Sequence, residues 1–108
     1  MGLFRRKKKK EQPIDIKTSD RIIMEQLTND DDEYITALAR QMMAGAPLIL
    51  NFDALHIDRA NKVISFISGV VYAVSGHIVA INDTTYLFGN KELYDDQSIE
   101  TWLRTNLN

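Results

Sequence analysis

The sequence predicts an α/β fold, a small two-layer sandwich whose mixed sheet of about four to five strands carries two helices on one face, with a further helix at the C-terminus. Three observations predict it. Apolar positions switch between helical spacing and short continuous runs, in the order strand, helix, strand, helix, hairpin, helix. The stretch RANKVISFISGVVYAVSG, residues 59–76, has a helical period but no clean polar side. HIVAI and TTYLF, residues 77–81 and 84–88, flank a short turn as a hairpin does.

Length and charge bound the rest. At 108 residues the chain is one domain with tails, and a domain of this size gains from oligomerising. It has no Cys, which excludes disulfides, thiolate metal sites and Cys nucleophiles. No apolar run reaches the roughly 18 residues of a spanning helix, and Met1 to Phe4 is too short for a secretory signal. The net charge of -2 hides an asymmetry. Residues 1–12 hold Arg5, Arg6, Lys7, Lys8, Lys9 and Lys10 against Glu11, a net of +5, which leaves -7 for residues 13–108. A basic tip on an acidic body seeks phosphate, as lipid headgroups or nucleic acid, while the body itself is unsuited to a nucleic-acid groove.

The organisation expected is therefore a tip (1–12), a short linker (13–20) and a folded domain (21–108). Within the tip, Leu3 and Phe4 are large apolar residues directly before the cations. Buried in an interface, each contributes roughly 1.5–3 kcal/mol, and each cation near an anionic leaflet adds about 1 kcal/mol. Met1, Leu3, Phe4, Arg5, Arg6, Lys7, Lys8, Lys9 and Lys10 are the expected membrane-binding residues. The N-terminal myristoylation pattern needs Ser or Thr where Arg6 stands.

Arg21–Leu27 reads as the first strand. Asp30 has the position of an N-cap with Glu33 three residues on, and Ile35, Leu38, Ala39 and Met42 then form an inward helix face. Gly45 and Pro47 stop that helix. Leu48–Phe52 reads as a buried central strand, with Asn51 placed to bond the following turn. In the next helix Ile57, Ala60, Ile64, Ile67, Val71 and Val74 make one apolar line, and Val63, Phe66, Val70 and Ala73 a second beside it. A helix apolar on two sides is buried on two sides, and in so short a chain the second cover is another subunit. Gly69 sits mid-helix, where it costs about 1 kcal/mol relative to Ala; close approach of a second backbone would explain it, and the alternative is a tolerated Gly in an ordinary core helix. Val63, Phe66, Ile67, Gly69, Val70 and Ala73 are the expected dimer interface.

A turn at Asn82-Asp83 sets the hairpin register so that Ile81 faces Thr84, Val79 faces Tyr86 and His77 faces Phe88. Both hairpin faces are largely apolar, so one needs a cover beyond the two helices, from the C-terminal segment, another subunit or a ligand peptide. The last helix, between Asp96 and Leu107 and capped by Asp96 or Ser98, has Ile99, Trp102, Leu103 and Leu107 on one side and is long enough to lie over an exposed sheet face. No catalytic or phosphate-cradling pattern stands out. His56 and His77 lack metal-ligand spacing, Asp53, His56 and Ser68 lack a nucleophile motif, and Asp30–Asp32 lacks the spacing of a calcium loop. The expectation is a non-enzyme without cofactors.

At Leu48–Phe88 the sequence resembles the SepF family of cytoplasmic cell-division proteins. The resemblance rests on Ile49-Leu50-Asn51-Phe52 before a helix with Arg59, on Phe66, Gly69, Tyr72, Ala73 and Gly76 in the spacing Phe-x-x-Gly-x-x-Tyr-Ala-x-x-Gly, and on the hairpin that follows. It implies a homodimer that binds the C-terminal tail of the tubulin-like protein FtsZ and tethers it at the inner face of the membrane at the division site. Phe66, Tyr72, Val79 and Tyr86 are the residues expected near the peptide. Departures are Ser65 where members commonly have Asp, Ser75-Gly76 for a Gly-Gly pair, Gly89-Asn90 for a Pro, and a tip and linker compressed into residues 1–20. The compact form is closer to archaeal members. The alternative is a nucleic-acid-binding module acting through the basic tail, and nucleic acid is the less favoured partner. A second rival, a regulatory domain of the anti-sigma-antagonist type, fits LILNFDAL but lacks the phosphorylatable Asp-Ser.

Overall fold

The computed structural model describes residues 16–107. A 3-10 turn at Thr18–Arg21 leads into β1 (Ile23–Gln26), α1 (Asp32–Met43), β2 (Leu48–Asn51), α2 (Ile57–Ala73), β3 (His77–Asn82), β4 (Thr85–Gly89) and α3 (Ser98–Asn106). The four-stranded sheet has the order β1-β2-β4-β3. β1 runs parallel to β2, and β4 is antiparallel to both its neighbours. The crossovers from β1 to β2 and from β2 to β3 step in the same direction across the sheet. Right-handed crossovers then put α1 and α2 on one face.

That face holds the main core. Leu48, Leu50 and Phe52 from the central strand region meet Phe88 of β4, Ile35, Leu38 and Met42 of α1, and Ala60, Val63, Ile67 and Val71 of α2. Ile49 and Leu87 point the other way, where Leu93 and Ile99 cover them with Trp102 and Leu103 alongside. The expected arrangement of two helices on one face and a separate C-terminal helix is the one found, and α3 lies over the second sheet face as its length suggested.

Several local expectations are corrected. β1 is shorter than Arg21–Leu27 because residues 18–21 wind into a 3-10 turn. Asp30 is not the N-cap of α1. The helix starts at Asp32 behind Asp31, without a side-chain cap bond. The Asp30 carboxylate is drawn instead to α2, where it accepts from Lys62 Nζ at 3.3 Å. The hairpin register differs by one residue. Asn82 pairs with Thr85, so the turn is Asp83-Thr84, because Asn82 Oδ1 accepts the Thr84 N–H at 2.9 Å in an Asx turn. A bulge between Ala80 and Asn82 absorbs the offset, leaving Val79 opposite Leu87, Ala80 opposite Tyr86 and Ile78 opposite Phe88.

Other expectations hold. α1 buries Ile35, Leu38, Ala39 and Met42. Gly45 ends it at φ +116°, a left-handed conformation that favours glycine. Asn51 Oδ1 accepts the Asp53 N–H at 3.0 Å, and its amide donates to Thr85 Oγ1 at 2.8 Å.

Candidate functional site

The outer side of α2 and the groove between it and α1 form the best candidate. α2 is placed by its caps. The ring nitrogen Nδ1 of His56 accepts the Asp58 N–H at 3.3 Å, which gives this histidine a structural task at the N-cap. Four residues, Ala60, Val63, Ile67 and Val71, turn inward. Val63 is 1% exposed and Ile67 fully buried, so these two residues of the expected interface belong to the subunit's own core. The reason is geometric. The two apolar lines read from the sequence overlap around the helix, and the sheet covers the seam between them.

What remains outward is the rest of the second line. Phe66 is 45% exposed, Val70 is half-buried, and Gly69 and Ala73 are exposed. A Cβ built on Gly69 meets no heavy atom within 4 Å. At about 100° per residue, Phe66, Gly69, Val70 and Ala73 share one stripe, while Tyr72 points about 120° away from Phe66. Tyr72 is 88% exposed.

Beside the stripe lies a groove of about 330 Å³, lined by Asp30, Asp32, Ile35, Thr36, Lys62 and Phe66 over Val63. Its floor is apolar and its rim is charged. Lys62 Nζ lies 3.3 Å from Asp30 Oδ2 and 3.8 Å from Asp32 Oδ1, and Arg59 Nη1 lies 3.8 Å from Asp30 Oδ1. The hydrogen bond from Lys62, helped by both positive charges, holds the Asp30 carboxyl below its ordinary value against the opposing effect of burial. The cations stand on the α2 side and the carboxylates at the start of α1. Such a slot suits a peptide that inserts an apolar side chain and places charge along the rim.

The four residues expected around a peptide are not brought together. Phe66 lines the groove. Tyr72 stands elsewhere on α2. Tyr86 is half-buried among core aromatics, its ring centroid 6.0 Å from Phe52 and 6.1 Å from Phe88. Val79 lies on the opposite sheet face, under α3. The sequence reading missed Asp30, Ile35, Thr36 and Lys62 as groove residues. Lys62 and Asp30 are 32 positions apart, and no periodic signal joins them. His77 packs edge-on against Tyr94, with centroids 4.9 Å apart. Among the described residues no group of His, Asp or Glu could hold a metal ion, and no helix is long and apolar enough to cross a membrane. Met1, Leu3, Phe4 and the cations of residues 5–10 lie outside the described residues.

Fold and site together define a small α/β domain with an exposed helix stripe beside a polar-rimmed groove. The family of cell division protein SepF matches residues 26–90, more than half of the chain. The chain therefore belongs to the SepF family. Among its relatives, cell division protein SepF of Natranaerobius thermophilus is 28% identical over 69 residues, covering 64% of this chain and 41% of that protein. The protein of the same description from Carboxydothermus hydrogenoformans is 30% identical over 56 residues, 52% of this chain and 41% of the relative. That from Pelotomaculum thermopropionicum is 26% identical over 82 residues, 68% and 55% of the two chains. The chain thus matches less than half the length of the first two curated relatives.

Proposed function

We propose that this chain is a non-enzymatic adaptor of cell division. It dimerises through the outer stripe of α2, binds the C-terminal tail of FtsZ in the groove against α1, and tethers it to the cytoplasmic face of the membrane through residues 1–12. The observation that carries the reading is the stripe itself. Phe66, Gly69 and Ala73 belong to the family spacing, yet they are exposed, so packing within the subunit does not account for them. With Val63 and Ile67 removed, the dimer contact reduces to Phe66, Gly69, Val70 and Ala73, continuous with the groove.

A dimer carries two tips. Each tip alone binds weakly, and two on one body gain by avidity. The acidic domain argues against nucleic acid as the ligand, since residues 13–108 carry -7.

The test is reconstitution. FtsZ floats with anionic vesicles only when the full chain is added, and its recovery falls to background with FtsZ lacking its C-terminal tail. Equal flotation of tail-less FtsZ would contradict the adaptor reading.

A further inference from the structure

The start of α3 holds a polar cluster that joins it to the 3-10 turn. Asp96 Oδ2 accepts the Thr18 backbone N–H at 2.8 Å and the Thr18 hydroxyl at 3.1 Å. Asp96 Oδ1 accepts the Ser98 N–H at 3.1 Å and the Ser98 hydroxyl at 2.7 Å. Ser98 Oγ in turn accepts the Ser19 N–H at 3.0 Å. Two successive amides of the 3-10 turn are therefore held by side chains 78 and 79 positions away. Hydrogen bonds to a carboxylate are roughly twice as strong as neutral ones. A chain segment near a terminus stays in place only where such bonds or burial tie it down.

The location of this cluster matters more than its strength. Ser98 and Asp96 lie at the start of α3, which covers the Ile49–Leu87 side of the sheet. The Phe66 groove lies between α1 and α2 on the other side. Helix, sheet and helix stack to a body about 30 Å thick. Released from the cluster, a tether of residues 13–22 could extend about 35 Å, enough to pass from one face of the body to the other. Held at Lys17, the remaining tether of residues 13–16 reaches only about 14 Å.

We propose that Asp96 and Ser98 latch the N-terminal arm to α3, so that a bilayer gripped by residues 1–12 meets the α3 side of the sheet and the Phe66 groove faces away from it. The proposal rests on the lipid reading of the tip given above. It adds an orientation: the membrane-proximal face carries α3, and the partner-binding face carries α1 and α2.

Thr18→Pro tests the latch with little disturbance. Lys17 sits at φ -81°, ψ 154°, a conformation that suits the residue before proline. Thr18 opens a 3-10 turn, where the fixed φ of proline fits. The substitution deletes both donors to Asp96 Oδ2, and Ser98→Ala added to it removes the acceptor of the Ser19 N–H, so that both amides of the turn are freed. Because the chain has no Cys, single dyes can be placed by Ser65→Cys on the exposed side of α2 or Thr105→Cys on α3. The full chain is bound to phosphatidylglycerol vesicles carrying a headgroup acceptor, and energy transfer is compared.

The expected transfer from residue 105 is at least about twofold that from residue 65, given the thickness of the body; the double variant Thr18→Pro, Ser98→Ala brings the two together, and a difference that survives in it overturns the latch. Bound protein with equal transfer from both sites, or more from residue 65, overturns the orientation. If no variant binds vesicles, the lipid reading of the tip and the orientation built on it both fail, and amide exchange in solution decides the latch alone. Ser19 N–H should then exchange at least about tenfold faster in Ser98→Ala than in the parent chain. Equal exchange overturns the latch.

Discussion

Gly69 and Gly76 belong to one spacing, seven residues apart, and the same substitution should change stability in opposite directions at the two. At Gly69, inside α2, an added Cβ meets nothing within 4 Å. Ala there recovers the roughly 1 kcal/mol that glycine costs in a helix interior. At Gly76 the Cβ would run into the backbone carbonyl oxygen of Gly89 and lie 3.1 Å from Val71 Cγ1. Gly89 pairs with His77 at the first rung of the β3–β4 ladder, so the obstacle is a backbone fixed by the sheet. Relief requires the loop after α2 to move away from β4, which places the cost in the overpacking range of about 1–3 kcal/mol. The two variants should therefore differ by about 2–4 kcal/mol. Urea titration followed by the fluorescence of Trp102, half-buried on the second sheet face, reads this directly. With a slope of about 1–1.5 kcal/mol per molar, Gly69→Ala raises the midpoint by about 0.7–1 M and Gly76→Ala lowers it by about 0.7–3 M. The titration is run at several protein concentrations. The parent midpoint rises with concentration if the folded chain dimerises, and Gly69→Ala blunts that rise if the stripe packs backbone against backbone. An unchanged midpoint for Gly76→Ala, or a lower one for Gly69→Ala at the greatest dilution, would refute the reasoning.

Three further outcomes are expected. The Thr18 backbone N–H, followed by the Ser98 donors, holds the Asp96 carboxyl well below the usual carboxylate range. A depressed folded value contributes stability that is present above the unfolded value of about 3.9 and is lost as pH falls below it. The difference in melting temperature between the parent and Asp96→Asn should narrow from about pH 6 to about pH 3, and a constant difference would contradict the assignment. Phe66→Ala should weaken binding of the FtsZ tail at least about tenfold, or 1.4 kcal/mol. Its side chain is already half exposed, so unfolding midpoints should change far less than for a core residue. Deleting residues 1–10 should abolish vesicle binding and leave peptide affinity unchanged. Equal loss of both would break the division into tip and body.

The order of elements was legible because each carries its own local signal. Helical spacing in residues 32–43, the apolar run at 48–51 and the stop at Gly45 need no knowledge of distant residues. Long-range choices were not legible. The register of β3 on β4 turned on which of two adjacent pairs closed the turn, and the Asn82 side chain decided it. One residue of offset moved Val79 to the face away from Tyr86. Which face of α2 the sheet covers was not legible for a related reason. Its apolar lines wrap far enough around the helix that spacing alone cannot say which part the sheet covers. The rim of the groove was invisible because Asp30 was read locally, as a helix cap, while its carboxylate answers to Lys62 and Arg59 on another element. The family spacing marks Phe66 and Gly69, and only the structure separates them, as exposed residues, from the buried Val63 and Ile67.

The central claim, that the domain receives the tail of FtsZ, is tested most directly by calorimetric titration. The full chain is titrated with the C-terminal peptide of FtsZ from the same organism. The account predicts saturable binding near one peptide per subunit at about micromolar affinity, about -8 kcal/mol, lost in Phe66→Ala. No heat across several peptide lengths, with no change in the backbone amide resonances of α1 and α2, would contradict it.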